Sequence, residues 1–149
     1  MGKTVHEIEI NAPVDRVWHA VHVDIPNVPK WSKSLRKTEV VGGGAPKKGS
    51  KLNYEIGIAG GKTVTLELRI DELDKPRRCS GVISDGPIGG SWGWSYNSKG
   101  GKTIVAYESE LKIGGVLRLI KSVIERDINN GTKRDLADLK TYVESAKAS

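Results

Sequence analysis

Two stretches of the chain carry Gly-Gly-Lys-Thr, the closing residues of a phosphate-binding loop: Gly60–Thr63 and Gly100–Thr103. A nucleotide loop also needs a glycine five residues before the Gly-Lys pair, and a helix after it. Ile56 and Tyr96 stand at those places. A third stretch, GAPKKGSK, has Gly44 and Gly49 correctly spaced, with Ser50 where the lysine belongs. Both Gly-Gly-Lys-Thr copies run into alternating β-branched and polar residues, the pattern of a strand. We read them as hairpin turns, so no nucleotide is expected.

Histidine offers the next chemistry. His19 and His22 are three residues apart on a predicted helix, with Asp24 close by. Such spacing suits Zn²⁺, but no third ligand is placed to join them, and no metal site is expected. His6 shares a strand face with Ile8 and Ile10. It is either a modest acid–base candidate or a hydrogen-bonded histidine at the core edge. Cys79 reads as a small buried hydrophobe. Tyr54, Tyr107 and Tyr142 can supply hydroxyls, and Tyr107 is the first choice for a polar ligand contact. No Ser-His-Asp order or close carboxylate pair stands out, so whether the protein is an enzyme stays open, and no cofactor is implied.

The elements that must position these groups follow from periodicity. The 149 residues suit one domain, spanning 1–149. No apolar run approaches the ~18 residues of a membrane span, and the N-terminus shows no signal-peptide core. A single cysteine forbids an internal disulfide, and a cytoplasmic protein is expected. The net charge of +6 is scattered in basic pairs, which favours solubility and an anionic partner but is weak evidence for nucleic acid, which is not expected. A monomer or homodimer is expected.

Thr4–Ile10 alternates as a strand. Asn11 looks like a helix N-cap, with Pro13 in the first turn, and Val14, Val17, Trp18 and Val21 form one apolar helical stripe. The helix should end near His22, with a second helical turn over Val28–Ser32. Strands are then predicted over Leu35–Val41, Lys51–Ile58, Lys62–Leu73, Arg78–Ile83, Ile88–Asn97 and Lys102–Leu111. Turns fall at Gly60-Gly61, Asp85-Gly86-Pro87 and Lys99-Gly100. These connections are too short for helical crossovers, so the sheet is antiparallel. From Val116 the period becomes helical. We expect one helix through Asn129-Asn130-Gly131; the alternative is a turn there, with Thr132 capping a second helix.

Trp92, Trp94 and Tyr96 lie on one face of their strand. A two-residue turn at Lys99-Gly100 sets Tyr96 against Thr103, Trp94 against Val105 and Trp92 against Tyr107. At Gly60-Gly61 such a turn would send Leu52, Tyr54, Ile56 and Ile58 to one face and Val64, Leu66, Leu68 and Ile70 to the other. Both sets are apolar, so we expect an extra residue in that turn. Glu67 and Arg69 should be solvated. Gly81, Gly90 and Gly131 fall on the inner face and fill no space, which points to a hollow and hence a binding pocket. A filled aromatic core is the alternative.

These stretches resemble a known superfamily. EIEINAPVDRVWHAV, IPNVPKWSKSLRKTEVV, DELDKPRRCSGVI, SWGWSYNSKGGKTIVAYESEL and DLADLKTYVESA are similar to the START and birch-pollen-allergen-like proteins, also called SRPBCC, and most of all to the bacterial polyketide cyclase/dehydrase-like branch. The resemblance spans nearly the whole chain. It implies an α+β helix-grip fold: a seven-stranded curved antiparallel sheet wrapped around a long C-terminal helix, with two short helices after the first strand. One departure is an extra residue within His22–Ile25. The resemblance further implies a cavity between sheet and helix that binds a hydrophobic or aromatic small molecule such as a lipid, polyketide or quinone. A cyclase or dehydratase acting in that cavity is the second expectation, and a protein-interaction module with a filled core is the third. The expected cavity wall is Tyr54, Leu66, Leu68, Trp92, Trp94 and Tyr107, with Ile120, Ile124 and Ile128 as a helical lid. Trp31 falls by the entrance, as a gate or as an anchor of the short helix.

Overall fold

A computed structural model describes residues 3–58, 61–84 and 87–145. Gly60, Asp85 and Gly86, predicted as turn residues, lie outside the described residues. Strand β1 (Thr4–Ile10) leads into helix α1 (Val14–Trp18), a π turn (His19–Val23) and a 3-10 helix (Ile25–Lys30). Then come β2 (Leu35–Val40), β3 (Lys51–Ile58), β4 (Lys62–Asp74), β5 (Arg78–Ile83), β6 (Ile88–Lys99) and β7 (Lys102–Ile113). A 3-10 helix (Gly115–Ile120) precedes the long helix α2 (Lys121–Ser145). All seven strands form one antiparallel sheet in the order β1-β7-β6-β5-β4-β3-β2, curved around α2.

Both Gly-Gly-Lys-Thr copies lead into strands, not helices. The second hairpin turns at Gly100-Gly101, with φ of 59° and 83°, one residue later than predicted. Two successive positive φ values are those of the tight turn that matches strand twist. Lys99 therefore faces Lys102, Tyr96 faces Val105, Trp94 faces Tyr107 and Trp92 faces Ser109. The predicted pairing was out by two residues, so every side chain kept its predicted face.

At the first hairpin Ile58 pairs with Lys62, which leaves three residues in the connection. The extra residue brings Tyr54 opposite Leu66 and Leu52 opposite Leu68, so both apolar sets face inward. Glu67 and Arg69 are exposed on the other face.

Asn11 does not cap α1. Pro13 occupies that position without a side-chain cap, and the Asn11 amide donates to Glu144 Oε2 at 2.7 Å. Before Ile25 the chain widens into the π turn, which is looser than an α-helical turn. The second short helix lies at Ile25–Lys30, earlier than predicted.

Helix α2 runs unbroken through Asn129-Asn130-Gly131. It is held at both ends. Leu136, Leu139 and Val143 enter the main core with Ile10, Val17, Trp18 and Val105. Lys140 Nζ donates to the Glu9 carbonyl at 3.1 Å. Near the other end, Ile124 is fully buried with Ile56, Ile58, Ile88 and Ile113.

The inner-face glycines have a tighter cause than the predicted hollow. A Cβ on Gly81 would lie 1.7 Å from the Arg69 carbonyl oxygen, beside a register shift in β4. Two backbones approach there as the sheet bends. Because backbone, not a side-chain tip, blocks the space, Gly81→Ala is expected to cost about 3 kcal/mol or more. Urea unfolding would measure it; an unchanged midpoint would show that the bend can relax.

Candidate functional site

Between the two anchored ends of α2 the sheet and helix stand apart. The gap is a cavity of about 580 Å³, within the roughly 300–1,000 Å³ usual for small-molecule sites. The core is hollow, as expected, and the alternative of a filled aromatic core falls. Trp31, Tyr54, Leu66, Leu68, Trp92, Trp94, Tyr107 and Ile128 all line it. Ile120 and Ile124 do not. Ile120 belongs to the 3-10 helix before α2 and is exposed, while Ile124 is packed behind Ile56, Ile58 and Ile88, which close that end. Trp31 is buried, its Nε1 donates to the Ala20 carbonyl at 3.4 Å, which suits an anchor of the short helix, and it borders the cavity.

Aromatic rings form the deep wall. Trp94 and Tyr107, opposite each other in register, have ring centroids 4.7 Å apart. Trp94 stacks on Tyr96 at 6.3 Å. Strand alternation makes this wall, because residues two apart share a face.

His22 was missed as a site residue. It is buried, lines the cavity and sits 4.4 Å from the Trp18 ring. Its Nε2 and the Tyr96 hydroxyl are 2.6 Å apart. Burial pushes its pKa down to about 3, so the imidazole is neutral at neutral pH. Its spacing of four from Trp18 places it on the apolar stripe of the helix, and that was the available signal. His19, by contrast, is exposed, and the two do not share a site. Among the described residues no group of three or more His, Cys, Asp or Glu is arranged to hold a metal.

Asp135 was also missed. It lines the cavity half-buried, accepting from Ser32 Oγ at 2.6 Å and from the Ser34 amide at 3.4 Å. Burial raises its pKa, against the pull of those hydrogen bonds. The bonds tie the loop after the second short helix to α2. Gly131 permits this closeness, since a Cβ there would come within 2.6 Å of Ser34 Oγ.

Burial, and then the nearby Asp135 charge, push the Tyr107 hydroxyl up to about 12. Burial raises Tyr54 as well, with Cys79 and Tyr107 as further causes. Burial holds Cys79 at about 12, so it is a thiol and not a nucleophile. These hydroxyls can donate hydrogen bonds but do not ionise near neutral pH. His6 is placed off the cavity. Its Nε2 lies 2.6 Å from Asn129 Oδ1, stitching β1 to α2. Tyr142 packs against the main core.

Lys33, Arg36, Asp127, Asn130 and Arg134 line the cavity and are exposed, so they form its rim. The site therefore grades from an apolar aromatic interior, through a few buried hydroxyls, to a charged edge.

A hollow helix-grip domain with a polar rim defines a class, and sequence comparison agrees with it. Residues 1–144 match the family described as polyketide cyclase / dehydrase and lipid transport, and the chain belongs to that family. No curated protein matches it in sequence. Solved structures show the same fold. A Thermus thermophilus protein superposes with a TM-score of 0.82 at 18% identity, over 99% of this chain and 100% of its own. A major latex-like protein of Panax ginseng gives 0.75 at 14%, over 95% and 96%. A START superfamily protein of Mycobacterium smegmatis gives 0.74 at 14%, over 97% and 99%. At such identities the likeness is one of fold alone.

Proposed function

We propose that this protein binds a hydrophobic or aromatic small molecule, such as a lipid, polyketide or quinone, in the cavity between sheet and α2. One observation carries the reading: a hollow of about 580 Å³, open at its charged rim and walled inside by Trp92, Trp94, Tyr54 and Tyr107. Leaving such a wall bare forgoes packing that a core of this size would normally have. An apolar ligand would recover roughly 25 cal/mol per Å² of surface removed from water, before its ordering costs. The gradation of the wall suits a molecule with an apolar body inside and a polar end at the rim.

Native mass spectrometry of the purified protein against its denatured mass is the direct test. A retained small molecule is the expected result, and its mass gives its class. If the protein is empty, and calorimetry finds no heat of binding with fatty acids, flavonoids or quinones, the reading fails.

A second reading, an enzyme of the cyclase or dehydratase kind within the polyketide cyclase-like branch, draws on Asp135 and Tyr107. Both line the same cavity, the carboxyl has a raised pKa, and its charge is felt at the Tyr107 phenol, which makes them candidates for acid–base roles. Tyr107→Phe keeps the ring and removes the proton. It should leave carrier affinity nearly unchanged and sharply lower the turnover of an enzyme.

A further inference from the structure

The 3-10 helix Gly115–Ile120, between β7 and α2, turns large apolar side chains to solvent. Val116 is 82% exposed, Leu119 89% and Ile120 41%. Residues three apart eclipse in a 3-10 helix, so Val116 and Leu119 project on the same side. Leu117 turns inward and packs on the cluster that contains Ile124. The segment is thus anchored, with its apolar face held outward.

Its charge is one-sided. From Leu111 to Ile124 the chain has Lys112, Arg118 and Lys121 and no acidic residue. Among the described residues none of the three forms an ion pair. Exposed aliphatic side chains beside unpaired cations are how a segment meets a lipid headgroup layer: the apolar side chains insert and the cations meet anionic headgroups. A protein partner is the weaker fit. Protein interfaces anchor on tryptophan, tyrosine and arginine, while leucine and valine are under-represented among their hot spots.

We infer that Val116, Leu119 and Ile120, with Lys112, Arg118 and Lys121, dock the protein on an anionic membrane surface. Docking here is peripheral; no helix among the described residues is long and apolar enough to cross a membrane. The inference rests on this surface and holds whatever the cavity binds.

Co-sedimentation with vesicles tests it. The protein should pellet with vesicles of phosphatidylcholine and phosphatidylglycerol and stay in solution with phosphatidylcholine alone. Added salt should release it, since exposed charges are screened. Val116→Ser with Leu119→Ser should weaken binding at least about tenfold. Both residues are exposed, so the unfolding midpoint of that double variant should match the wild type. The inference is overturned if the wild type ignores anionic vesicles, or if the double variant binds them equally well. It is also overturned if ultracentrifugation finds a wild-type dimer that the double variant breaks, which would make the patch a contact between copies.

Discussion

Lowering the pH from 6.5 to about 4.5 is expected to remove about 2 kcal/mol of folding stability through His22 alone. In the folded protein its pKa is depressed to about 3 by burial, while in the unfolded chain it returns to 6.5. Between those values the unfolded chain takes up a proton that the folded protein refuses. Stability therefore rises with pH across the window and is lost as pH falls. The window stops at about 4.5 because Glu108 and Glu144 begin to matter below it. Hydrogen bonds from Lys3 and Arg78 lower the pKa of Glu108, and those from Lys140 and the Asn11 amide lower that of Glu144. Asp135 works in the opposite sense, since its raised pKa makes the folded state bind its proton first. A difference measurement isolates the histidine. His22→Gln keeps a hydrogen-bonding group for Tyr96 and does not titrate. Urea unfolding of both proteins at the two pH values should show the drop in the wild type and most of it absent from His22→Gln. Equal drops would move the cause elsewhere.

Truncating the two central tryptophans should separate the wall of the cavity from its frame. Trp94 is half-buried, and its free surface faces the cavity. Trp94→Ala should weaken an apolar ligand by roughly thirtyfold, since an indole face of order 80 Å² contributes about 2 kcal/mol. Its effect on folding should be the smaller one. Trp92 also borders the cavity, but it is 6% exposed and its Nε1 donates to the Val82 carbonyl at 3.2 Å. Trp92→Ala leaves a void in the core and removes that hydrogen bond, and should cost about 3–5 kcal/mol of stability. Calorimetric titration reads the first effect and denaturant unfolding the second. If Trp94→Ala binds within twofold of the wild type, the aromatic wall is not where the ligand rests.

The fold was legible because its elements announce themselves by period. Alternation of two marks β3 to β7, and a stripe of apolar residues marks α2. Strand parity survived the misplaced Gly100-Gly101 turn, since an error of two residues returns each side chain to its own face. The polar part of the site was less legible. His22 was read with His19 as a possible metal pair, although its spacing from Trp18 already put it on the buried stripe. Asp135 is seven residues from Ile128 and four from Leu139, so it lies on the inward face of α2. A lone carboxylate there reads as solvated until the loop bearing Ser32 and Ser34 is known to fold over it. Ile120 and Ile124 fit the stripe as well, but period cannot say where along a helix a cavity ends. That depends on the isoleucines of distant strands.

All four tryptophans cluster around the site. Trp31, Trp92 and Trp94 border the cavity, and Trp18 is buried against His22; none stands on the outer surface. The intrinsic fluorescence of this protein therefore comes from the site and its immediate surroundings, with no background from surface indoles. A bound quinone or flavonoid would quench it by energy transfer, and stopped-flow mixing would time its arrival and departure without a label. Protonated histidine also quenches indole, so the acid transition at His22 should dim Trp18 first. Occupancy of the cavity and the charge state of its histidine can thus be followed with one optical signal that the native chain already carries.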